Sequence, residues 1–366
     1  KSEGLIKLKD YIDELYEDAC FDDMKKDWNK DLSGMNTFRM RVSCRCFVEY
    51  GSVKELKAVL ADRSFPRPFF PLGGGSNLLF TKDYPGTILH CGMESIDYLG
   101  SGRVYADAGV VWDDFCAWCA SKGLWGPENL SYIPGEVGAS AVQNIGAYGR
   151  EAGELIESVS CVEAGTGSEV LIPAGECGYA YRDSRFKHDW KGRYFVTGVT
   201  FRLSEEPKPE LDYGHVREAV KEKFGTDDSA LLTPAMIREV VTDIRKSKLP
   251  EVTELGSAGS FFRNPYVDAR SLEAIRNKAQ EENLGNVPSF TISGDCFKVP
   301  AAWLIDKCGW KGKELGGAAV FEKQPLVLVN KSGGASPDEV IALEEEIRAS
   351  VKAKFGVALE KEVEYV

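Results

Sequence analysis

The chain has 366 residues, is 43% hydrophobic and 28% charged, and carries a formal net charge of −12. That length allows two or three domains around a sizeable core, and the acidic balance argues against a nucleic-acid surface, which needs clustered Lys and Arg. No apolar run approaches the length of a membrane span and no signal peptide opens the chain, so a cytoplasmic protein is expected.

In chain order, Leu8, Tyr11, Ile12 and Leu15 recur at helical spacing, which predicts an N-terminal helical extension over residues 1–30. A strand around Cys46-Phe47-Val48 leads to Ser52-Val-Lys-Glu55, a capping box that opens a helix through Leu56, Val59 and Leu60. The strand Phe69–Leu72 then runs into Gly73-Gly74-Gly75-Ser76-Asn77, so a β-α-β unit ends in a glycine turn. It is neither a dinucleotide fingerprint, since Leu78 stands where glycine is needed, nor a P-loop, since no Gly-Lys-Ser/Thr follows. Short strands at Arg103–Asp107 and Tyr194–Gly198 alternate with helices, and Thr233-Pro234 caps a helix carrying Ile237, Val240, Val241 and Ile244. Beyond the break at Lys248-Leu-Pro250, helices are expected near 270–281 and 300–308 and a strand at Leu326–Val329. Ser336-Pro-Asp-Glu339 caps a helix through Val340, Leu343, Ile347 and Val351, and Leu359–Val366 reads as a strand.

Ten cysteines are present, with Cys116 and Cys119 forming a C-x-x-C inside an amphipathic helical stretch. Without a second ligand pair or a thioredoxin-like context they read as core residues. His90, His188 and His215 are too scattered for a metal site, so neither metal nor disulfide is predicted.

Two segments suggest an extended, phosphate-bearing ligand. Successive N–H groups in the turn Gly73–Asn77 can form an anion-binding nest, to which Ser76 and Asn77 add side-chain donors. The stretch Ile133–Gly149 contains Gly135, Gly138, Gly146 and Gly149, too many for a good helix interior, and reads as backbone lying flat against a large partner. Arg182, in Tyr179-Ala-Tyr-Arg-Asp-Ser184, is either an ion-paired core arginine or one that meets a developing anion. Ser260, in Gly256-Ser-Ala-Gly-Ser-Phe-Phe-Arg-Asn-Pro265, lacks the setting of a hydrolase nucleophile and by itself reads as a turn or cap serine. Glu360 and Glu362 alternate along the terminal strand and would share one face.

These segments, in this order and continuing through Ala301-Ala-Trp-Leu-Ile-Asp306 and Leu359-Glu-Lys-Glu-Val363, resemble the UDP-N-acetylenolpyruvoylglucosamine reductase family from about Asn36 to the end. The resemblance implies an α+β fold: a two-part FAD-binding domain of the vanillyl-alcohol-oxidase-like (PCMH) type at 31–100 and 101–250, and an α/β substrate domain at 251–352. Residues 353–366 would return as a strand to the second flavin subdomain. It implies non-covalent FAD held by Gly73, Gly74, Gly75, Ser76, Asn77, Gly135, Gly138, Ala139, Ser140, Asn144, Gly146 and Tyr181.

The implied reaction is reduction of the enolpyruvyl double bond of UDP-N-acetylglucosamine enolpyruvate to UDP-N-acetylmuramate in peptidoglycan precursor synthesis. NADPH would be the hydride donor and FAD N5 the relay. Arg182 and Glu362 would stabilise the intermediate and Ser260 would deliver the proton. Tyr213, in the loop of the family's longer form that closes over the nucleotide sugar, would contact substrate with Arg245, Lys248, Asn264 and Gln324. A monomer is expected. Two positions depart from the family pattern: Arg39 stands where glycine is usual after Asn-Thr-Phe, and Glu364 where arginine is usual near the flavin. Two other readings stay open, another FAD-dependent oxidoreductase of the same fold and a catalytically weakened UDP-sugar-binding homologue.

Overall fold

The computed structural model describes residues 24–366, and the helix expected through Leu8 and Leu15 lies outside them. Residues assigned above to the helical extension form a strand instead, β1 (Lys25–Asp31), at the edge of a four-stranded sheet. Its Lys and Asp residues suit an edge: Lys25 pairs with Glu49 at 3.0 Å and Lys30 sits 4.5 Å from the Phe47 ring, so charged side chains guard the open rim.

The chain divides into two compact units, of which the first takes in residues 44–74 and 84–242. There β2 (Ser43–Tyr50) lies beside β1 and pairs in parallel with β4 (Tyr84–Cys91), which pairs in parallel with β3 (Phe69–Pro71). Helix α1 (Val53–Ala61) follows β2, with the Ser52 hydroxyl accepting the Glu55 N–H at 3.2 Å. The Glu55 carboxylate reaches back to the Gly51 N–H at 2.7 Å, one residue earlier than a standard capping box. A five-stranded antiparallel sheet follows, in the order 169–173, 156–163, 194–202, 103–107 and 96–100. Its main core gathers Trp112, Phe115 and Phe201, whose rings lie 4.5–5.9 Å apart, and contains Cys116 and Cys119. Both thiols are held well above their ordinary pKa by burial, which suits packing rather than redox or metal chemistry.

Glycine at position 86 keeps β3 and β4 in register. A Cβ there would lie 1.9 Å from the Pro68 carbonyl oxygen, the acceptor of the Thr87 N–H. Gly86→Ala is therefore expected to cost at least about 2 kcal/mol, by overpacking against backbone that cannot yield. A fall in Tm of less than one degree would show that the strand shifts freely.

The second unit comprises residues 31–43, 75–83 and 243–366. Two segments expected in the first flavin subdomain thus belong with the C-terminal region. Backbone pairing explains this: the Thr37 and Ser257 backbones bond through N–H to carbonyl at 2.9 Å, and the Asn330 amide donates to the Phe38 carbonyl at 3.2 Å. Arg39 adopts φ +59°, the left-handed conformation that favours glycine, and its guanidinium donates to the Thr253 carbonyl. An antiparallel sheet in the order 256–260, 327–330, 318–320 and 314–315 is backed by the helix Pro337–Phe355, which opens with the full Ser336/Glu339 capping box. The C-terminal strand does not return to residues 101–250. It is only Glu364–Tyr365, and it pairs in parallel with Leu78–Leu79 of this same unit.

Among the described residues no helix is long and apolar enough to cross a membrane, and no group of three or more His, Cys, Asp and Glu could hold a metal ion.

Candidate active site

In the first unit the glycine-rich stretch is not flat throughout. Val137–Gln143 is a short helix, despite Gly138 within it. Tertiary contact overrides propensity here: a Cβ at Gly138 would lie 2.8 Å from that of Ala108, and the Gly138 N–H bonds to the Ala108 carbonyl at 2.9 Å. The missing side chain lets the helix lie against the segment after the strand Arg103–Asp107. Val137 N–H to Val110 and Trp112 N–H to the Gly135 carbonyl complete the attachment. Within the helix Ser140 is buried and its hydroxyl donates to the Val137 carbonyl at 2.7 Å, while Ala139 is exposed.

The helix ends at Asn144, which takes the left-handed conformation with φ +49°. Its amide is a hub, donating to the Ala180 carbonyl at 2.7 Å and the Glu151 carboxylate at 2.9 Å and accepting the Gly153 N–H at 2.8 Å. Asn144 therefore sets the position of the turn that carries Tyr181 and Arg182. That turn is closed by reciprocal backbone bonds between Ala180 and Asp183 at 3.0 and 3.1 Å, with Arg182 at φ +55°. The Arg182 guanidinium donates to the Gly146 carbonyl and lies 5.1 Å from the Tyr181 ring centroid. Asp183, the nearest carboxylate in sequence, is taken by His188 at 2.8 Å. A Cβ at Gly146 would come within 2.6 Å of an Arg182 nitrogen, so the glycine makes room for the cation.

Gly73 and Gly74 meet this stretch directly. A Cβ at Gly74 would lie 3.1 Å from the Gly135 Cα, and one at Gly73 would lie 3.1 Å from the Glu136 carboxylate. The two glycine segments, chosen separately in the sequence, are thus neighbours. Burial pushes the Glu136 carboxyl up to about 8, with Glu94 adding like-charge repulsion, and its oxygen lies 4.0 Å from His90 Nδ1. Glu136 has no counterpart among the site residues read from the sequence, because an isolated Glu carries no signal of its burial.

Tyr213 is 40% exposed, on a loop that reaches Tyr148 and Gly149. Helix Pro234–Lys248 presents Arg245 and Lys248 in its last turn.

In the second unit Ser260 ends the strand Gly256–Ser260, opposite Val327. The next residues, Phe261 and Phe262, are fully buried and fix the backbone. Residues 360–362 are not one regular strand, so the shared face expected of Glu360 and Glu362 does not arise from strand alternation. They instead run antiparallel to 261–263: the Glu362 N–H donates to the Phe261 carbonyl at 2.8 Å and the Arg263 N–H to the Glu360 carbonyl at 2.9 Å. This pairing sets Glu362 opposite Phe261, the residue that follows Ser260. Asn77 joins them, donating to the Glu362 carbonyl at 3.2 Å. Asn264 accepts the Ala301 N–H at 2.9 Å, at the start of the helix Ala301–Lys307, and the Gln324 side chain accepts from Leu326 within a turn.

Comparison with known proteins supplies the identity. The FAD binding domain family matches residues 44–171, and the C-terminal domain of UDP-N-acetylenolpyruvoylglucosamine reductase matches residues 251–366. A UDP-N-acetylenolpyruvoylglucosamine reductase of Bacteroides fragilis (strain YCH46) is 47% identical over 92% of this chain and 98% of its own. The enzyme of that name from Alcanivorax borkumensis is 40% identical over 91% and 94% respectively. The chain belongs to the UDP-N-acetylenolpyruvoylglucosamine reductase family. It is an oxidoreductase with a FAD-binding domain. The crystal structure of the reductase from Thermus caldophilus shares the fold, with a TM-score of 0.64 at 22% identity, covering 93% of this chain and 98% of that one.

The residues present fit the flavin that this family's domain implies. Among the described residues the N–H groups of Gly73, Gly74, Gly75 and Asn77 have no protein acceptor, which leaves a run of donors for a diphosphate. Arg182 and Tyr213 fall between the two matched stretches, so their placement rests on the geometry above.

Proposed function

We propose that this chain reduces the enolpyruvyl double bond of UDP-N-acetylglucosamine enolpyruvate to UDP-N-acetylmuramate, with NADPH as hydride donor, in peptidoglycan precursor synthesis. The observation that supports the reading is the pairing of 360–362 with 261–263, which joins the segment of Glu362 to the segment that follows Ser260 in a chain that also has a FAD-binding domain. FAD, when bound, would supply the two-electron chemistry that carries a hydride from NADPH to the enolpyruvyl group. Gly73, Gly74, Gly75, Ser76 and Asn77 would hold its diphosphate, and Gly135, Gly138, Ala139, Ser140, Asn144, Gly146 and Tyr181 would line or support its ring.

Hydride arriving at the β-carbon leaves an electron pair at the α-carbon, delocalised into the adjacent carboxylate. Arg182, fixed by the Gly146 carbonyl and the Tyr181 ring, is a preorganised cation for that charge. Glu362, on the segment paired with the residues that follow Ser260, would support the same intermediate. The Ser260 hydroxyl gives its proton to the α-carbon and recovers one from solvent, so each turnover consumes one NADPH and one proton. Tyr213, Arg245, Lys248, Asn264 and Gln324 would contact the nucleotide sugar, the basic pair answering its diphosphate.

An anaerobic spectral titration tests this. NADPH is expected to bleach the bound flavin, and the enolpyruvyl sugar to restore its absorbance. Bleaching without recovery would overturn the substrate; a protein that takes up no FAD would overturn the enzyme.

A further inference from the structure

Asn129 is fully buried and lies outside every site described above. Its amide nitrogen donates two hydrogen bonds to backbone carbonyls from different parts of the first unit: Tyr148 at 2.8 Å, within the glycine-rich stretch, and Glu210 at 2.9 Å, at the base of the loop that carries Tyr213. Both acceptors are carbonyls, so the nitrogen must face them, and the side-chain oxygen is left buried without a partner.

The surrounding packing follows the same line. A Cβ at Gly149 would lie 3.2 Å from Glu210 and 3.3 Å from the Tyr213 Cβ, and one at Gly214 would lie 3.2 Å from the Tyr148 ring. Tyr148–Gly149 and Tyr213–Gly214 therefore interlock through their glycines. Beyond the loop, Arg217 bonds to Asp212 at 2.5 Å and Asp227 at 3.3 Å, and its N–H reaches the Leu211 carbonyl at 3.2 Å. The loop is held on the helix side by Arg217 and on the glycine-rich side by Asn129.

We propose that Asn129 is a positioning residue that clips the base of the Tyr213 loop to the Tyr148–Gly149 end of the glycine-rich stretch, so that the loop closes over substrate from an anchored base. This rests on the reading of Tyr213 as a substrate contact. Asn129 would act through the loop rather than by touching substrate or cofactor. Its loss lets the loop sample other positions, a cost paid when substrate binds and not when NADPH reduces the flavin.

The test is a double-mutant cycle with Asn129→Ala and Tyr213→Ala in the FAD-loaded enzyme, using NADPH and UDP-N-acetylglucosamine enolpyruvate. Asn129→Ala is expected to raise KM for the enolpyruvyl sugar about tenfold, the worth of the two lost bonds. Its kcat and its rate of flavin reduction by NADPH should stay within about twofold of wild type on the same argument. In the Tyr213→Ala background it should change KM no further. Additive losses, or an equal fall in the NADPH step, mean a general packing role and overturn the proposal. If Tyr213→Ala raises KM but Asn129→Ala does not, the clip alone is refuted; if Tyr213→Ala leaves KM unchanged, the substrate reading of Tyr213 falls and takes the clip with it. Should Asn129→Ala not hold FAD, Asn129→Ser, which keeps one donor, replaces it, and an unchanged KM there overturns the proposal.

Discussion

Ser260→Ala is expected to leave the flavin fully reducible by NADPH while slowing its reoxidation by the enolpyruvyl sugar about 10²- to 10⁴-fold, the usual worth of a positioned proton donor. The argument starts from where the hydroxyl is held. Ser260 is the last residue of a strand, and Phe261 donates its N–H to the Leu326 carbonyl at 2.8 Å while its own carbonyl receives the Glu362 N–H at 2.8 Å. Phe261 and Phe262 are fully buried behind it. These contacts are made by backbone and by the neighbours' rings, so removing one oxygen leaves them standing. Ser260 is itself only half-buried, and the loss of stability should stay below about 1 kcal/mol. An unactivated alcohol is a weak acid, so its proton moves only towards a strongly basic carbanion, which forms after hydride transfer. Stopped-flow absorbance separates the two half-reactions. Reoxidation of the variant at the wild-type rate would remove Ser260 from the chemistry.

The second large effect is on stability and its dependence on pH. The Glu136 carboxyl is pushed up to about 8 by burial first and by Glu94 second, from 4.5 in the unfolded chain. Its neighbours are His90 at 4.0 Å and the Gly73 backbone, neither of which supplies a fixed positive charge. Between these two values the folded protein holds a proton that the unfolded chain has released, so stability falls as pH rises through that window. Below about 4.5 both states are protonated and the effect vanishes. Above 8 the loss is complete, on the order of 3–5 kcal/mol for a group this well buried. Glu136→Gln removes the ionisation while keeping the shape. Its advantage over wild type should be near zero at pH 4.5 and several degrees in Tm at pH 8.5, compared at equal FAD occupancy. Glu128, pushed up to about 7 by burial, contributes a similar slope to both proteins and cancels in the comparison. An advantage of the same size at both pH values would mean that Glu136 does not carry its proton into the folded state.

Local signals were the most legible. The Ser336 capping box, the Thr233-Pro234 start and the Ser52 cap each open a helix where hydroxyl and proline place it, because a cap is satisfied by residues within one turn. Residues 25–31 escaped the same reasoning, since a charged edge strand and the end of a charged helix share a composition, and only pairing with Ser43–Tyr50 separates them. The helix Val137–Gln143 escaped it too, because Gly138 counts against a helix until Ala108 is seen against its bare Cα. Asn144 was singled out for the flavin by resemblance; its amide bonds to Ala180, Glu151 and Gly153, contacts that no local pattern in the chain announces.

By itself the sequence determined the chemical inventory and the family: two runs of glycine without side chains to block a backbone, an arginine between aromatics, a serine before two phenylalanines, and a carboxylate near the end of the chain. Tertiary structure alone decided that Gly74 meets Gly135, that Glu362 pairs with Phe261 next to Ser260 in the chain, and that Glu136 and Asn129 are buried where their polar groups matter. The reason is physical. Residue type and local spacing set what a side chain can do and which caps and turns form. Contacts between distant segments arise only when their backbones pair and their apolar faces are buried together, and no local period in the chain records which segments those will be.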